Sequence, residues 1–138
     1  AMKVAYEAHH GQTDRSGVPY IFHPFYVAEQ MDDELSTCTA LLHDVVEDTE
    51  ISFEDLAREF PEEVVEALHF LTRDKSMNYF DYIRNLRKNL IAKKVKQADL
   101  LHNSDVTRLA DCENISDRQI SRLQGRYRRA LEILSEST

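Results

Sequence analysis

The stretch LLHDVVEDT, residues 41–49, places four titratable side chains among apolar ones. If the run is helical, at about 100° per residue, the imidazole and carboxylate groups fall on one face and the aliphatic groups on the other. The first face consists of His43, Asp44, Glu47 and Asp48, and the second of Leu41, Leu42, Val45 and Val46. The pattern predicts a helix with one side in a core and the other side in a site that carries out chemistry.

The rest of the chain also favours helices over strands. The 138 residues include only three glycines and three prolines, and no alternating segment rich in valine, isoleucine or threonine stands between turn signals. We therefore expect one all-α domain over residues 2–138, a compact bundle of several helices. The predicted helices are 2–10, 23–32, 34–47, 53–59, 61–71, 78–88, 90–108 and 117–135, with ends placed to within about two to four residues.

Local signals mark several helix ends and one face of the last helix. Ser52 with Asp55 is typical of a capping pair, and Ser116 or Asp117 can cap the last helix. An apolar stripe on that helix either packs on the bundle or serves an oligomer, and we favour packing on the bundle. The stripe consists of Ile120, Leu123, Tyr127, Leu131 and Leu134.

One long irregular segment precedes the second predicted helix. It reads HHGQTDRSGVPYIFHP and covers residues 9–24. Gly11, Gly17 and Pro19 interrupt any helix there, which predicts a loop directly ahead of His23.

Charge and composition restrict the partners. The net charge of -8 argues against a nucleic-acid polymer, since binding a polyphosphate backbone needs a basic field. A small anion is compatible with this charge if a metal ion or a few basic side chains supply positive charge locally. The sequence lacks a signal-like N-terminus and a membrane-spanning apolar run, so we expect a cytoplasmic protein with no membrane partner. It does not define the oligomeric state, and it gives Cys38 and Cys112 no role.

Candidate metal ligands lie in three separate predicted helices. His23 begins one helix, His43 and Asp44 lie in the middle of another, and Asp99 lies in VKQADLLHN on a third. Imidazole and carboxylate donors together suit Mn, Fe or Zn better than Ca or Mg, provided that the helices bring them to one ion. An HD pair alone is a weak signal, because a lone helical histidine is more often packed or solvated and a lone surface aspartate is usually just solvated.

Three ordered blocks strengthen the metal hypothesis. They are GQTDRSGVPYIFHPFYVA (11–28), ALLHDVVEDT (40–49) and VKQADLLHNSD (95–105). Together they resemble the HD superfamily of metal-dependent phosphohydrolases, and within it the RelA/SpoT-type hydrolase domains and their small stand-alone relatives, which cleave guanosine tetra- and pentaphosphate alarmones. The resemblance implies an all-helical HD fold with one divalent ion, commonly Mn²⁺ in these hydrolases, with Fe²⁺ and Zn²⁺ as alternatives. The implied ligands are His23, His43, Asp44 and Asp99.

The resemblance also implies roles for residues beside the metal. Glu47 and Asp48 match the family's acidic pair, which can orient water or exchange protons with it and with the leaving oxygen. Without the resemblance, the same residues are typical of a solvated helix end. Asn103 matches the family's substrate-side asparagine, and Arg15 aligns with a basic residue of its phosphate-binding loop, where a guanidinium suits a diphosphate.

One position departs from the family pattern. Asp14 stands where the alarmone hydrolases carry a basic residue that stacks on guanine. A carboxylate has neither the positive charge nor the flat donor fork of a guanidinium. The sequence therefore supports the catalytic centre better than it supports selectivity for guanine.

These observations favour a metal-dependent phosphohydrolase that acts on a small phosphorylated nucleotide. The favoured subclass is a guanosine-3′,5′-bis(diphosphate) 3′-pyrophosphohydrolase, which would hydrolyse the alarmone and release pyrophosphate. One alternative is an HD phosphohydrolase of another nucleotide or phosphorylated metabolite, which would release orthophosphate from a monophosphate. Another is a non-catalytic HD module that senses a ligand without turnover.

Overall fold

A computed structural model describes residues 1–14, 16–105 and 116–136 of the chain. Regular secondary structure in these ranges is helical, and Thr13 and Pro19 form an isolated antiparallel bridge. The prediction of an all-α fold is therefore confirmed. The helices are α1 (Met2–Ala8), α2 (Phe22–Glu29), α3 (Glu34–Leu42), α4 (Val45–Asp48), α5 (Phe53–Ala57), α6 (Glu62–Leu71), α7 (Tyr79–Leu86), α8 (Leu90–Asn103) and α9 (Asp117–Ser135).

The prediction of one helix over residues 34–47 is wrong. Helix α3 ends at Leu42, and the backbone of Asp44 has φ -106° and ψ 0°, so α4 begins anew at Val45. The ring nitrogen Nδ1 of His43 lies 2.6 Å from the carbonyl oxygen of Ala40. An unbroken helix would use this oxygen to accept from the N–H of Asp44, so the imidazole competes with the helix for its acceptor. His43 and Asp44 consequently occupy a turn between two helices.

Most other helix ends lie within about two to four residues of their predicted positions. The end of α8 does not, since the helix ends at Asn103 and the predicted end is residue 108; residues 106–108 lie outside the described ranges. Ser52 and Asp55 exchange both hydrogen bonds of a capping box, as expected from the sequence. Ser116 accepts from the backbone N–H of Gln119 and caps α9, which is also confirmed.

Two clusters of buried apolar side chains hold the helices together. The larger cluster combines residues of α1, α2, α3, α6, α7, α8 and α9. The smaller cluster lies where α3 and α4 meet α5 and α6, and it consists of Leu42, Val45, Leu56, Val64 and Leu68. Helix α3 contributes to both clusters, so the turn at its end is anchored on two sides.

The apolar stripe of α9 packs on the bundle over its second half. Leu134 is fully buried in the larger cluster, and Tyr127 and Leu131 pack against it while partly exposed. Packing on the bundle, the favoured interpretation of this stripe, is confirmed for these three side chains. Cys38 is half-buried beside the smaller cluster, and Cys112 lies outside the described residues. Within the described ranges, every helix is too short or too polar to cross a bilayer.

Replacing Leu42 with alanine should lower the free energy of unfolding by about 2–5 kcal/mol, because the lost atoms leave a cavity in the smaller cluster. Leu42 is completely buried, whereas Leu90 is 81% exposed and provides a matched control. Leu90→Ala should cost less than about 0.5 kcal/mol. Urea denaturation of both variants measures the difference, and equal losses would show that Leu42 does not support the core.

Candidate active site

Three buried side chains from distant parts of the chain meet where α2, α3 and α8 pack together. His23 lies in the first turn of α2, His43 follows α3, and Asp99 lies in α8. Each offers one ligand atom, and these atoms lie within 4.8 Å of one another. Asp99 Oδ1 lies 2.8 Å from His23 Nε2 and 3.4 Å from His43 Nε2. The structure thus brings together three of the four side chains that the sequence suggested as ligands.

Asp44, the fourth suggested ligand, lies at the more open side of this group. Its Oδ2 atom is 2.9 Å from His43 Nε2 and 3.9 Å from His23 Nε2. The side chain is 20% exposed, compared with 7% for Asp99. The hydroxyl of Tyr20 donates a hydrogen bond to the same Oδ2 atom and so fixes the carboxylate.

One ring nitrogen of His43 is hydrogen-bonded to the backbone, and the other faces the carboxylates of Asp44 and Asp99. Nδ1 donates to the carbonyl oxygen of Ala40, which leaves Nε2 as the candidate ligand atom. Among the described residues this buried Nε2 has no aligned hydrogen-bond partner, although Asp44 Oδ2 lies 2.9 Å away. A buried nitrogen without a partner is costly, and a metal ion would satisfy it. Two imidazole nitrogens with a carboxylate are a donor set for divalent transition metals, so the residues fit such an ion.

The charges of the group favour a cation at its centre. Burial alone would lower the pKa of His43, but the carboxylates of Asp44 and Asp99 outweigh it and raise this pKa well above its usual value. Burial likewise opposes the ionisation of Asp44, yet the charge of His43 lowers the pKa of that carboxyl to about 2. A divalent ion would displace the His43 proton and take over the same stabilisation.

Neighbours on α8 hold Asp99 in place. The ammonium group of Lys96 donates to Oδ2 at 2.9 Å, and the amide of Asn103 donates to Oδ1 at 3.1 Å. The two residues stand three before and four after Asp99, which puts all three side chains on one helix face. Despite burial, the charge of Lys96 helps to hold the pKa of Asp99 well below its usual range. Asn103, the predicted substrate contact, therefore also supports a candidate ligand.

A cavity of about 490 Å³ opens over the ligand group, a size in the range of small-molecule sites. His23, Asp44 and Asp99 form part of its wall, so a molecule inside it would reach these candidate ligands. Asn103 also lines the cavity. Arg15, the other predicted substrate contact, lies outside the described residues.

The carboxylate of Asp14 also lines the cavity but is used by its own loop. Its Oδ1 atom accepts from the backbone N–H of Ser16 at 2.8 Å and from that of Val18 at 3.0 Å. Gly17 has φ 82°, a conformation that costs glycine little, and allows the loop to turn around this carboxylate. Asp14 therefore stabilises the loop and supplies no positive charge to the cavity.

The acidic pair of α4 stands beside the ligand group. Glu47 Oε1 accepts from the backbone N–H of Arg73 at 2.6 Å. Partial burial of both carboxyls, together with the charge of Asp44, raises the pKa of Glu47 and that of Asp48 above their usual values. Neither side chain is among the described residues that line the cavity. A raised pKa suits a group that exchanges protons near neutral pH.

The sequence did not indicate that Lys96 and Tyr20 hold two of the candidate ligands, or that Arg126 lines the cavity. The place of Lys96 beside Asp99 follows from its helical spacing alone, as does that of Asn103. Tyr20 and Arg126 carried no such signal, since they approach the site through packing between elements far apart in the chain.

Replacing His102 with phenylalanine should weaken metal affinity about 10- to 100-fold, because an outer partner of a candidate ligand is lost. The Nδ1 atoms of His102 and His23 lie 2.7 Å apart, so one donates to the other and His23 Nε2 stays directed at Asp99. The ring of His102 also stacks on Tyr26 at 4.0 Å, and phenylalanine keeps that stack. Metal titration measures the change, with Tyr26→Phe as a control of unchanged affinity. Wild-type affinity in His102→Phe would contradict this supporting role.

A helical bundle with a buried group of two histidines and an aspartate is the arrangement expected of proteins with an HD-type metal centre. The family model described as HD domain matches residues 1–122, and the chain belongs to this family. The membership predicted from the three sequence blocks is thereby confirmed.

Relatives within this family include enzymes of alarmone metabolism. The chain is 36% identical over 118 residues to the bifunctional (p)ppGpp synthase/hydrolase SpoT of Escherichia coli K12, a match that covers 75% of this chain and 17% of that protein. It is 32% identical over 120 residues to the guanosine-3′,5′-bis(diphosphate) 3′-pyrophosphohydrolase of Borreliella burgdorferi, which covers 75% of this chain and 18% of that protein. The chain thus spans less than a fifth of the length of these curated relatives.

A solved structure of similar size matches the whole bundle. It belongs to a metazoan ortholog of SpoT that hydrolyses ppGpp and plays a role in starvation responses. The two structures superpose with a TM-score of 0.86 at 27% sequence identity, covering 99% of this chain and 84% of the other.

Proposed function

We propose that this chain is a metal-dependent phosphohydrolase that removes pyrophosphate from the 3′ position of guanosine 3′,5′-bis(diphosphate). The observation that carries the proposal is the buried group of His23, His43 and Asp99 beneath a cavity large enough for a nucleotide. The names of the similar proteins supply the substrate. The chain would act as one HD-type hydrolase domain over residues 2–138.

The metal site would consist of four side chains. His23, His43, Asp44 and Asp99 would hold one divalent ion, with Mn²⁺ preferred over Fe²⁺ and Zn²⁺. When bound, the ion lowers the pKa of a water that it holds toward neutrality and offsets the charge of the phosphate. The mixed nitrogen and oxygen donors support such an ion, and they do not distinguish among these metals.

Other residues of the chain orient the ligands and the reactants. Tyr20 holds the Asp44 carboxylate by its hydroxyl, and Lys96 with Asn103 holds that of Asp99. Asn103 would also contact the ribose or a phosphate, and the Arg15 guanidinium would bind a diphosphate.

The acidic pair would handle the protons of the reaction. Hydrolysis adds water across the phosphoester bond at the ribose 3′ oxygen, so one proton must leave the water and one must reach that oxygen. Glu47 and Asp48 are suited to this exchange by their raised pKa values. Because neither side chain is among the described residues that line the cavity, a water molecule between them and the substrate would carry the proton.

Product identification after incubation with Mn²⁺ and guanosine 3′,5′-bis(diphosphate) tests the proposal. We expect guanosine 5′-diphosphate and pyrophosphate, and loss of both products in the presence of a chelator. Adenosine 3′,5′-bis(diphosphate) and common monophosphates belong in the same screen. Asp14 stands where the family has a basic residue that stacks on guanine, so the selectivity for guanine needs its own test. Orthophosphate from a monophosphate would favour another substrate. A metal-loaded protein inactive on the whole panel would favour the ligand-sensing module.

A further inference from the structure

Two cationic side chains are among the described residues that line the cavity, Lys96 and Arg126. The Lys96 ammonium group lies 2.9 Å from Asp99 Oδ2 and its side chain is only 15% exposed. Its charge is therefore used to stabilise a candidate ligand of the metal. Arg126 has no carboxylate partner within the described part of the chain, so its positive charge is available to a bound molecule.

An aromatic ring, not an acid, positions the guanidinium of Arg126. The Arg126 Cζ atom lies 3.7 Å from the centroid of the Tyr79 ring. Such a stack orders the side chain while leaving its charge and its donor groups in place. Tyr79 is itself fixed as the first residue of α7, where the side chain of Asn78 accepts from two backbone N–H groups. Arg73 lies farther from the same ring, at 5.4 Å, and donates to the carbonyl oxygen of Met77.

The substrate needs positive charge in addition to the metal group. Asp14, Asp44 and Asp99 line the same cavity, and the chain carries a net charge of -8. A guanosine with two diphosphates brings further negative charge, of which only the 3′ diphosphate would lie at the metal group. A flat guanidinium that offers parallel donors is well suited to the other diphosphate.

We propose that Arg126 binds the 5′-diphosphate, the part of the substrate that is not cleaved, and that Tyr79 is its positioning residue. The inference rests on the proposed function, because that function places the 3′ diphosphate at the metal group. Arg126 would make the chain selective for nucleotides that carry a 5′ phosphate as well as a 3′ diphosphate.

The selectivity of the variant Arg126→Gln tests this inference. Against guanosine 3′,5′-bis(diphosphate) its kcat/KM should fall about 10- to 100-fold, the effect of losing a hydrogen-bonded charge. Against guanosine 3′-diphosphate, which lacks the 5′ phosphates, it should fall less than about 3-fold, since the contact removed is absent from that substrate. Arg128→Gln is the matched control, an exposed arginine of the same helix outside the cavity lining, and should act as wild type on both. Equal losses on the two substrates, or none, would overturn the assignment.

Binding of guanosine 5′-diphosphate to the metal-free protein separates this inference from the proposed function. Wild type and Arg128→Gln should bind with equal affinity, and Arg126→Gln about 10-fold more weakly. Tyr79→Leu should also weaken binding, whereas Tyr79→Phe should bind as wild type does because phenylalanine keeps the ring that stacks on Arg126. A wild-type protein that hydrolyses neither substrate defeats the proposed function, while this titration still decides the role of Arg126. Equal affinity in Arg126→Gln, or no binding by wild type, overturns the inference.

Discussion

Replacing His43 with alanine should abolish metal binding and reduce turnover by more than about 100-fold. Losing a residue that only supports a ligand costs up to about 100-fold, so losing the ligand itself should cost more. His43 contributes the buried Nε2 atom that lacks a hydrogen-bond partner among the described residues. Its removal also takes away the positive charge that lowers the pKa of Asp44, whereas Lys96 still lowers that of Asp99. Metal content by elemental analysis and turnover with added Mn²⁺ measure the two effects.

The matched control for this substitution is His10→Ala, since His10 is exposed in the turn that follows α1. It should keep the metal content and the turnover of wild type. Circular dichroism of both variants separates loss of the site from loss of the fold. A folded His43→Ala protein with the wild-type metal content would remove His43 from the ligand set.

The substitution Glu47→Gln should keep the metal and reduce turnover about 10²- to 10⁴-fold, the usual contribution of a positioned acid or base. Glutamine retains an oxygen that can accept from the backbone N–H of Arg73, a contact that Glu47 makes at 2.6 Å. It keeps the size of the side chain but removes its negative charge and its ability to take up and release a proton. Parallel measurement of metal content and kcat therefore distinguishes a proton-exchanging role from support of the structure.

Glu50→Gln is the matched control, an exposed glutamate just beyond α4. It should leave kcat unchanged. If Glu47→Gln turns over at the wild-type rate, Glu47 has no part in the reaction, and Asp48→Asn then tests the second member of the pair.

Much of the helical architecture could be predicted because apolar periodicity and capping signals are local. These signals predict a helix over residues 117–135, and the structure has α9 at Asp117–Ser135. The break after Leu42 could not be found in this way. Periodicity describes which side chains share a face, whereas the break depends on the ring of His43 taking the carbonyl oxygen of Ala40 from the helix.

The candidate ligands could be found because their residue types occur in recognisable blocks. Their approach depends on the packing of α2, α3 and α8, which no spacing in the sequence reports. The position of Arg126 could not be predicted for the same reason, because its guanidinium is held by the ring of Tyr79, a residue of another helix. The position of the acidic pair could not be predicted either, because α4 is a separate helix whose direction differs from a continuation of α3.

The turn between α3 and α4 separates the thermal stability of the acidic pair from that of the candidate metal site. Helix α4 has only four residues, Val45–Asp48, and a helix of that length does not persist without tertiary contacts. The buried side chain of Val45 holds this helix on the bundle, and the backbone N–H of Arg73 donates a hydrogen bond to Glu47. Local opening of this segment would displace the acidic pair while His23 and Asp99 stay in place. On warming, turnover should therefore fail at a lower temperature than metal retention, and cooling should restore it without refolding of the bundle.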